Sequence, residues 1–207
     1  MNKISKIIAL SVLILALIGI SYFLYNKWLE SKMGFVSFEN AIEQEINGKK
    51  YIENKEVGLK FAIPDGWEIN KDKIGLSMHS SNFIPFTEDS FFIPKEGCWI
   101  EIYTEQQKEG SNYDLNYSYL KDKIASNYCS RYQNSEQKIC EIGKISGLDG
   151  IRENNFENEG ENQGFFTSFS IPYNNTVYSF YSYFFGKDKD YCLEEFNNFL
   201  TTVNIKK

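Results

Sequence analysis

Histidine is almost missing from this sequence: His79 is the one example in 207 residues. That excludes metal sites and catalytic centres built on several histidines. The motifs of nucleotide and serine-hydrolase chemistry are missing too, since there is no P-loop, no G-x-G-x-x-G and no G-x-S-x-G. None of the four cysteines forms a C-x-x-C pair, which leaves no zinc-ligand spacing and no expected metal site. A basic excess is absent as well. With 22 Lys and Arg against 28 Asp and Glu, the net charge is −6, and phosphate recognition wants the opposite sign, so nucleic acid is not an expected partner. Prolines number four, and no repeat or low-complexity tract interrupts the chain.

What is present is ordinary globular material rich in rings. Hydrophobic residues make up 42% and charged residues 24%, which excludes wholesale disorder. Phe 17, Tyr 14 and Trp 3 are enough for a substantial core, and the length suits one folded unit with appendages.

The first appendage reads as a membrane anchor. Residues 7–24 carry no charge, and at 1.5 Å per residue they span roughly 27 Å, close to the hydrocarbon thickness of a bilayer. Lys3 and Lys6 precede the run, while Tyr22, Tyr25 and Trp28 supply interfacial aromatics. A cleaved signal peptide is the rival, but Ile18-Gly19-Ile20 is a poor cleavage site and no lipoprotein cysteine follows. Gly34-Phe35 with Glu39 imitates a prepilin cleavage site, yet the apolar run precedes it, whereas in pilins it follows. Lysines on both sides nearly balance, and long domains cross largely regardless of charge. The expected layout is a cytoplasmic N-terminus at 1–6, a single-pass anchor at 7–25, a connector at 26–50 and an extracytoplasmic domain at 51–207. Residues 1–32 hold four lysines and one glutamate, leaving 18 basic against 27 acidic side chains in the remainder. Such a domain stays soluble and does not adsorb on anionic lipid.

An extracytoplasmic domain with an even cysteine count points to two disulfides. Cys129 and Cys140 form the local pair, and Cys98 with Cys192 would tie a strand to the last helix. Buried free thiols are the alternative, because Cys192 shares a helical face with Phe196 and Phe199.

In the connector, Phe35, Phe38, Ile42 and Ile46 recur at helical spacing, and Gly48 would stop that helix. Residues 58–63 alternate as a strand. Pro64-Asp65-Gly66 is a turn, and Trp67-Glu68-Ile69 would start the return arm of a hairpin. Short strands are expected at 74–78 and 98–103, with a loop at 80–97 between them. Cys98, Ile100 and Ile102 share one face of the second strand, with Trp99, Glu101 and Tyr103 on the other. A helix follows, with Asp114 as cap and an apolar stripe of Tyr117, Leu120, Ile124 and Tyr128. Strands are expected at 139–145 and 148–156, then an acidic loop at 157–164. A strong strand pair at 164–171 and 176–185 comes next. The latter is apolar on both faces, so it belongs in the middle of a sheet covered on both sides. A last helix from Asp188 or Asp190 buries Leu193, Phe196, Leu200 and Val203, and residues 204–206 add a terminal strand. This order is an α+β fold with a central antiparallel sheet flanked by helices.

Tyr51-x-x-Asn54-x-x-x-Gly58-Leu59-x-Phe61-x-Ile63-Pro64-x-Gly66-Trp67 resembles the opening of the PsbP-like domain family. The Tyr178-Ser179-Phe180 strand and the closing helix with Phe196 and Leu200 resemble its end. The resemblance covers residues 51–207 and implies an α/β/α sandwich, with Pro64 and Gly66 making a turn and Trp67 packing. It implies no shared catalytic residues and no cofactor.

Candidate chemistry is thin. His79 with a serine and an acid is the only available hydrolase set. Glu153, Glu157, Glu159 and Glu161 make a carboxylate-rich segment whose spacing does not fit an EF-hand. The expectation is a non-enzymatic, membrane-anchored domain that binds or helps assemble an envelope protein. The alternatives are a small-ligand or glycan module using aromatics beside the 80–97 loop, and a hydrolase using His79.

Overall fold

The computed structural model describes residues 20–21, 34–85, 94–106, 114–131, 138–159, 162–185 and 188–206. The expected anchor lies outside them apart from residues 20 and 21, and among the described residues no helix is long and apolar enough to cross a membrane. The strands run β1 (Ile42–Ile46), β2 (Lys49–Asn54), β3 (Leu59–Ala62), β4 (Glu68–Lys71), β5 (Leu76–His79), β6 (Ile84–Pro85), β7 (Pro94–Glu96) and β8 (Trp99–Gln106). Helix α1 (Asp114–Ala125) and a 3₁₀ turn (Tyr128–Arg131) follow. Then come β9 (Lys138–Ile145), β10 (Leu148–Glu159), β11 (Asn162–Tyr173), β12 (Thr176–Phe185), helix α2 (Lys189–Thr202) and β13 (Asn204–Ile205).

Seven strands form one sheet in the order β4-β5-β8-β12-β11-β10-β9, and four form a second in the order β1-β2-β3-β13. The paired strands are antiparallel throughout. The result is the expected α+β architecture, mostly antiparallel sheet with two helices. Strand β12 sits at the centre, as its two apolar faces require. Tyr178, Phe180 and Phe184 enter the main core with α2 and the small sheet. Phe199 of α2 lies between Phe180 (ring centroids 5.8 Å apart) and Phe61 of β3 (5.6 Å). Each such ring stabilises the fold by about 1.5–3 kcal/mol on burial. The opposite face of the large sheet receives α1, whose Leu120 and Ile124 pack with Tyr128 on Ile151 and the Cys129–Cys140 pair.

Hairpin geometry is set by local chemistry. Asn47-Gly48, Ser146-Gly147 and Asn174-Asn175 each link two strands, and all six residues have positive φ. That is the two-residue loop whose twist matches the strands it joins. The first of these overturns the expected helical connector. Asn47-Gly48 closes a β1–β2 hairpin, and Ile42 and Ile46 are exposed, so their helical spacing carries no packing. Residues 34–36 also join the large sheet. The Val36 amide donates to the Thr104 carbonyl (2.8 Å) and the Gln106 amide to the Gly34 carbonyl (2.7 Å). A Cβ on Gly34 would collide with the Gln106 carbonyl oxygen, which explains the glycine that imitates a prepilin site.

Three further expectations are corrected. Residues 64–66 form a turn, with Gly66 at φ +77 and the Trp67 amide donating to the Pro64 carbonyl (3.2 Å), but they do not make a hairpin. Both edges of β3 are taken by β2 and β13, so β4 crosses to the other sheet and pairs with β5. The expected acidic loop at 157–164 is mostly ladder, because β10 and β11 remain paired out to Glu159 and Asn162. Asp114 is the first helical residue.

Both expected disulfides are present, Cys98–Cys192 and Cys129–Cys140, and no described cysteine is free. The first spans 94 residues and bolts α2 to the start of β8, where the Gly97 amide also donates to the Asp188 carboxylate (3.0 Å).

Phe38 is fully buried in the main core. Phe38→Ala is expected to cost ~3–5 kcal/mol in urea unfolding, the range for large-to-small core changes; no loss would detach this segment from the folded unit. Chain-entropy arguments put the longer disulfide loop at ~4–5 kcal/mol and the shorter at ~3 kcal/mol. Removing Cys98 and Cys192 together should therefore lower the melting temperature more than removing Cys129 and Cys140, and native protein should take up alkylating reagent only after reduction.

Candidate functional site

Among the described residues, the α1 face of the large sheet is covered on one side only. Helix α1 packs on β10, β11 and the edge of β12. The part formed by β5, β8 and β12 carries rings and acids instead of an apolar layer. The register sets one row straight across it: Ser77, Glu101, Tyr181, Ser168, Glu153 and Cys140. This row holds two carboxylates with different fates. Glu153 meets Lys123 of α1 at 3.3 Å. Lys123 in turn lies over the rings of Tyr119 and Tyr128 at 4.5 and 4.6 Å. Burial works against the Lys123 ammonium, but the Tyr119 hydroxyl and the Glu153 charge hold its pKa above the ordinary value. Glu101 is only 6% exposed, and among the described residues it forms no ion pair.

Burial pushes the Glu101 carboxyl above its usual range, and the nearby Trp99 and Tyr103 side chains oppose that only in part. The Tyr103 phenol is driven up as well, first by burial and then by the neighbouring Glu101 charge. An acid in this state stays protonated to higher pH than a solvated one and gains most from an incoming cation.

Glu101 and Tyr103 stand as a partition between two clefts. One, of about 420 Å³, is lined by Asn70, Asp72, Ile74, Ser77 and Trp99 on its far walls. The other, of about 260 Å³, is closed by Phe35, Glu105, Tyr181 and Tyr183. The rings are mutually braced: Tyr103 is edge-on to Tyr181 (5.7 Å) and touches Phe35 (6.0 Å), and Phe166 contacts Tyr181 and Tyr183 (5.8 and 4.9 Å). Gly75 floors the larger cleft, because a Cβ there would lie 2.8 Å from the Tyr103 ring.

His79 sits on β5, not in a loop. Its ring stacks on Trp99 (5.8 Å, 7° between planes) and contacts Phe83 (4.9 Å). Its Nδ1 faces the Ser80 carbonyl at 3.2 Å, and its Nε2 is 3.9 Å from Glu68. No serine hydroxyl reaches the ring among the described residues. Glu157, Glu159 and Glu161 fall where side chains are not described. Pro64, Gly66 and Trp67 occupy the turn between sheets, away from both clefts. Sequence reasoning placed Glu101 beside Trp99 and Tyr103 without marking it as a site. The available signal was a lone carboxylate inside Trp99-Ile100-Glu101-Ile102-Tyr103.

No family model matches the sequence, and no curated protein matches it. Among solved structures, a protein of Bacteroides thetaiotaomicron is similar over 78% of this chain at 13% identity and a TM-score of 0.46; the chain spans about half of that protein (50%). The solution structure of the cyanobacterial PsbP, CyanoP, from Synechocystis is similar over 78% of this chain and 95% of its own, at 11% identity and TM-score 0.43. LpqN of Mycobacterium tuberculosis, described as involved in cell envelope biogenesis, is similar over 82% and 93%, at 8% identity and TM-score 0.44.

The Glu101 environment fixes the sign of a pH effect. A carboxyl raised in the folded state binds more protons folded than unfolded, so its contribution is full below the unfolded pKa and is lost as pH rises through the folded value. Glu101→Gln should therefore raise the melting temperature at neutral pH. The gain should vanish as pH falls into the ordinary carboxylate range, where the wild-type group is already neutral. Thermal melts across that range check it, and a variant less stable than wild type at neutral pH would contradict the desolvation argument.

Proposed function

We propose that this chain is a non-enzymatic, membrane-tethered member of the PsbP-like family whose domain lies outside the cytoplasm and binds an envelope protein. The partner inserts a lysine or arginine side chain beside Glu101. One observation carries the reading: of two carboxylates in one cross-sheet row, Glu153 has a lysine and Glu101 has none. A buried acid gains most from a cation that arrives with its own hydrogen-bond donors, and the rings of Tyr103 and Tyr181 add cation–π attraction worth about 0.5–2 kcal/mol. The acidic excess beyond residue 32 favours a basic partner. The family assignment is supported by the Gly58-x-x-Phe61-x-x-Pro64-x-Gly66-Trp67 motif, with Gly58 and Gly66 at positive φ.

The tether argument is one of reach. Phe35 lies on the same face as Glu105, and residues 26–34 separate it from the end of the expected anchor. Nine residues extend to at most ~30 Å. A domain held that close to the bilayer meets partners that are themselves in or on the membrane.

A second reading, a small-ligand module, is favoured by the roughly 420 Å³ cleft, which is of ligand size. Two rings line it: Trp99, beside the 80–97 loop and itself braced by His79 and Phe83, and Tyr103.

A photo-crosslinking amino acid at Ser77, in full-length protein in intact cells, should trap one defined partner, and Glu101→Gln in the same chain should reduce its yield severalfold. Recovery of uncrosslinked chain alone would count against the envelope-partner reading. A melting-temperature rise with a soluble saccharide or amine, absent in Glu101→Gln, would favour the small-ligand reading instead.

A further inference from the structure

On the other face of the large sheet, where α2 ends its cover, a cleft of about 360 Å³ opens between α2 and the β9–β10 hairpin. Its base is set by two glycines. Gly143 and Gly150 are directly opposed, and the Phe169 ring lies against both positions: a Cβ at Gly143 would come within 3.0 Å of it, and one at Gly150 would collide. The ring therefore lies low, and the next core-facing pair along the hairpin, Arg152 opposite Glu141, borders open space.

Arg152 is incompletely satisfied. Its Nε is buried and has no hydrogen-bond partner. Glu141 acts on it through space, but the two form no ion pair. Burial pulls the guanidinium pKa below its ordinary value, the sign of a cation short of compensation. A buried donor without an acceptor costs about 1–3 kcal/mol, more when it is charged. Across the cleft, the Asn197 side chain on α2 also makes no hydrogen bond among the described residues. The remaining wall is apolar, with Phe169, Leu200 and Val203.

We propose that this cleft binds a small monocarboxylate, whose oxygens bridge the Arg152 guanidinium and the Asn197 amide and whose apolar body lies against Phe169. A planar carboxylate matches the guanidinium fork in two parallel hydrogen bonds. Glu141 at the rim repels a doubly charged phosphate more strongly than a singly charged acid. The Glu101 row lies on the opposite face of the sheet, so this site stands or falls separately from the partner assigned above.

Isothermal titration of the full-length chain with benzoate tests it, with the isosteric neutral benzamide and inorganic phosphate as comparisons. Benzoate is expected to bind saturably with a Kd on the order of 1 mM, as suits so small a ligand. Benzamide should bind at least ~10-fold more weakly, the smaller part of what a charge-assisted hydrogen bond supplies. Arg152→Gln should lose benzoate binding, and Asn197→Ala should weaken it several-fold. Should Arg152→Gln fail to fold, Arg152→Lys keeps the charge but not the planar fork and must show the same loss. Absence of saturable heat, equal binding of benzamide, tighter binding of phosphate, or unchanged affinity in the Arg152 variants would each overturn the proposal.

Discussion

Strand β12 has a strand on each side and rings on each face, and that double burial organises the molecule. A central strand of this kind needs two covers. Phe180 and Phe184 take α2 and the four-stranded sheet as theirs, and the buried cluster on this side runs unbroken from Phe38 to Val203. Among the described residues the other cover is a single helix of 12 residues, too short to span seven strands at about 4.8 Å spacing. What α1 does not reach is finished, among those residues, by side chains. Phe35, Tyr103, Phe166, Tyr181 and Tyr183 do this by leaning on one another. The open acid–aromatic surface is thus a remainder of the topology, left where a second helix would otherwise lie.

Charge distribution follows from the same shortfall. Where the helix reaches, it brings Lys123 to Glu153 and buries the pair under tyrosine rings. Where it ends, Glu101 is desolvated by its surroundings and left without a countercharge among the described residues. Arg152 mirrors this on the opposite face, at the limit of α2's cover. Desolvation without neutralisation is costly for either sign, and both instances sit beside space large enough to admit a compensating group.

Much of the fold was legible in the residues. The period-two pattern of β8 placed its two faces correctly, and the two apolar faces of β12 placed it in the middle of the sheet. The two candidate cysteine pairs formed, and the alternative of buried free thiols did not. Errors arose where local pattern and tertiary context diverge. Phe35, Phe38, Ile42 and Ile46 have helical spacing, yet Asn47-Gly48 is a tighter constraint and bends the chain into a hairpin. Pro64-Asp65-Gly66 is a genuine turn, but whether a turn closes a hairpin depends on which edges are free, and β13 from 140 residues away occupies one of them. The polar stretch at 157–164 lacks apolar alternation because pairing, not burial, holds it in strand form. Glu101 and Arg152 were visible as letters. That one lacks a cation and the other an acceptor is a property of six strands and two helices together, which no local window contains.

The small sheet is completed out of order. β3 is among the first strands along the chain, yet its outer edge is filled by β13, and Cys98 waits for Cys192. Every nascent chain that has not yet reached α2 therefore carries an open sheet edge and an unpaired thiol at once. Both are marks that distinguish an unfinished polypeptide from a finished one, and residues 189–205 remove the two together. Maturation of this domain is in that sense self-reporting: the same short stretch that seals its interior erases the marks of its immaturity.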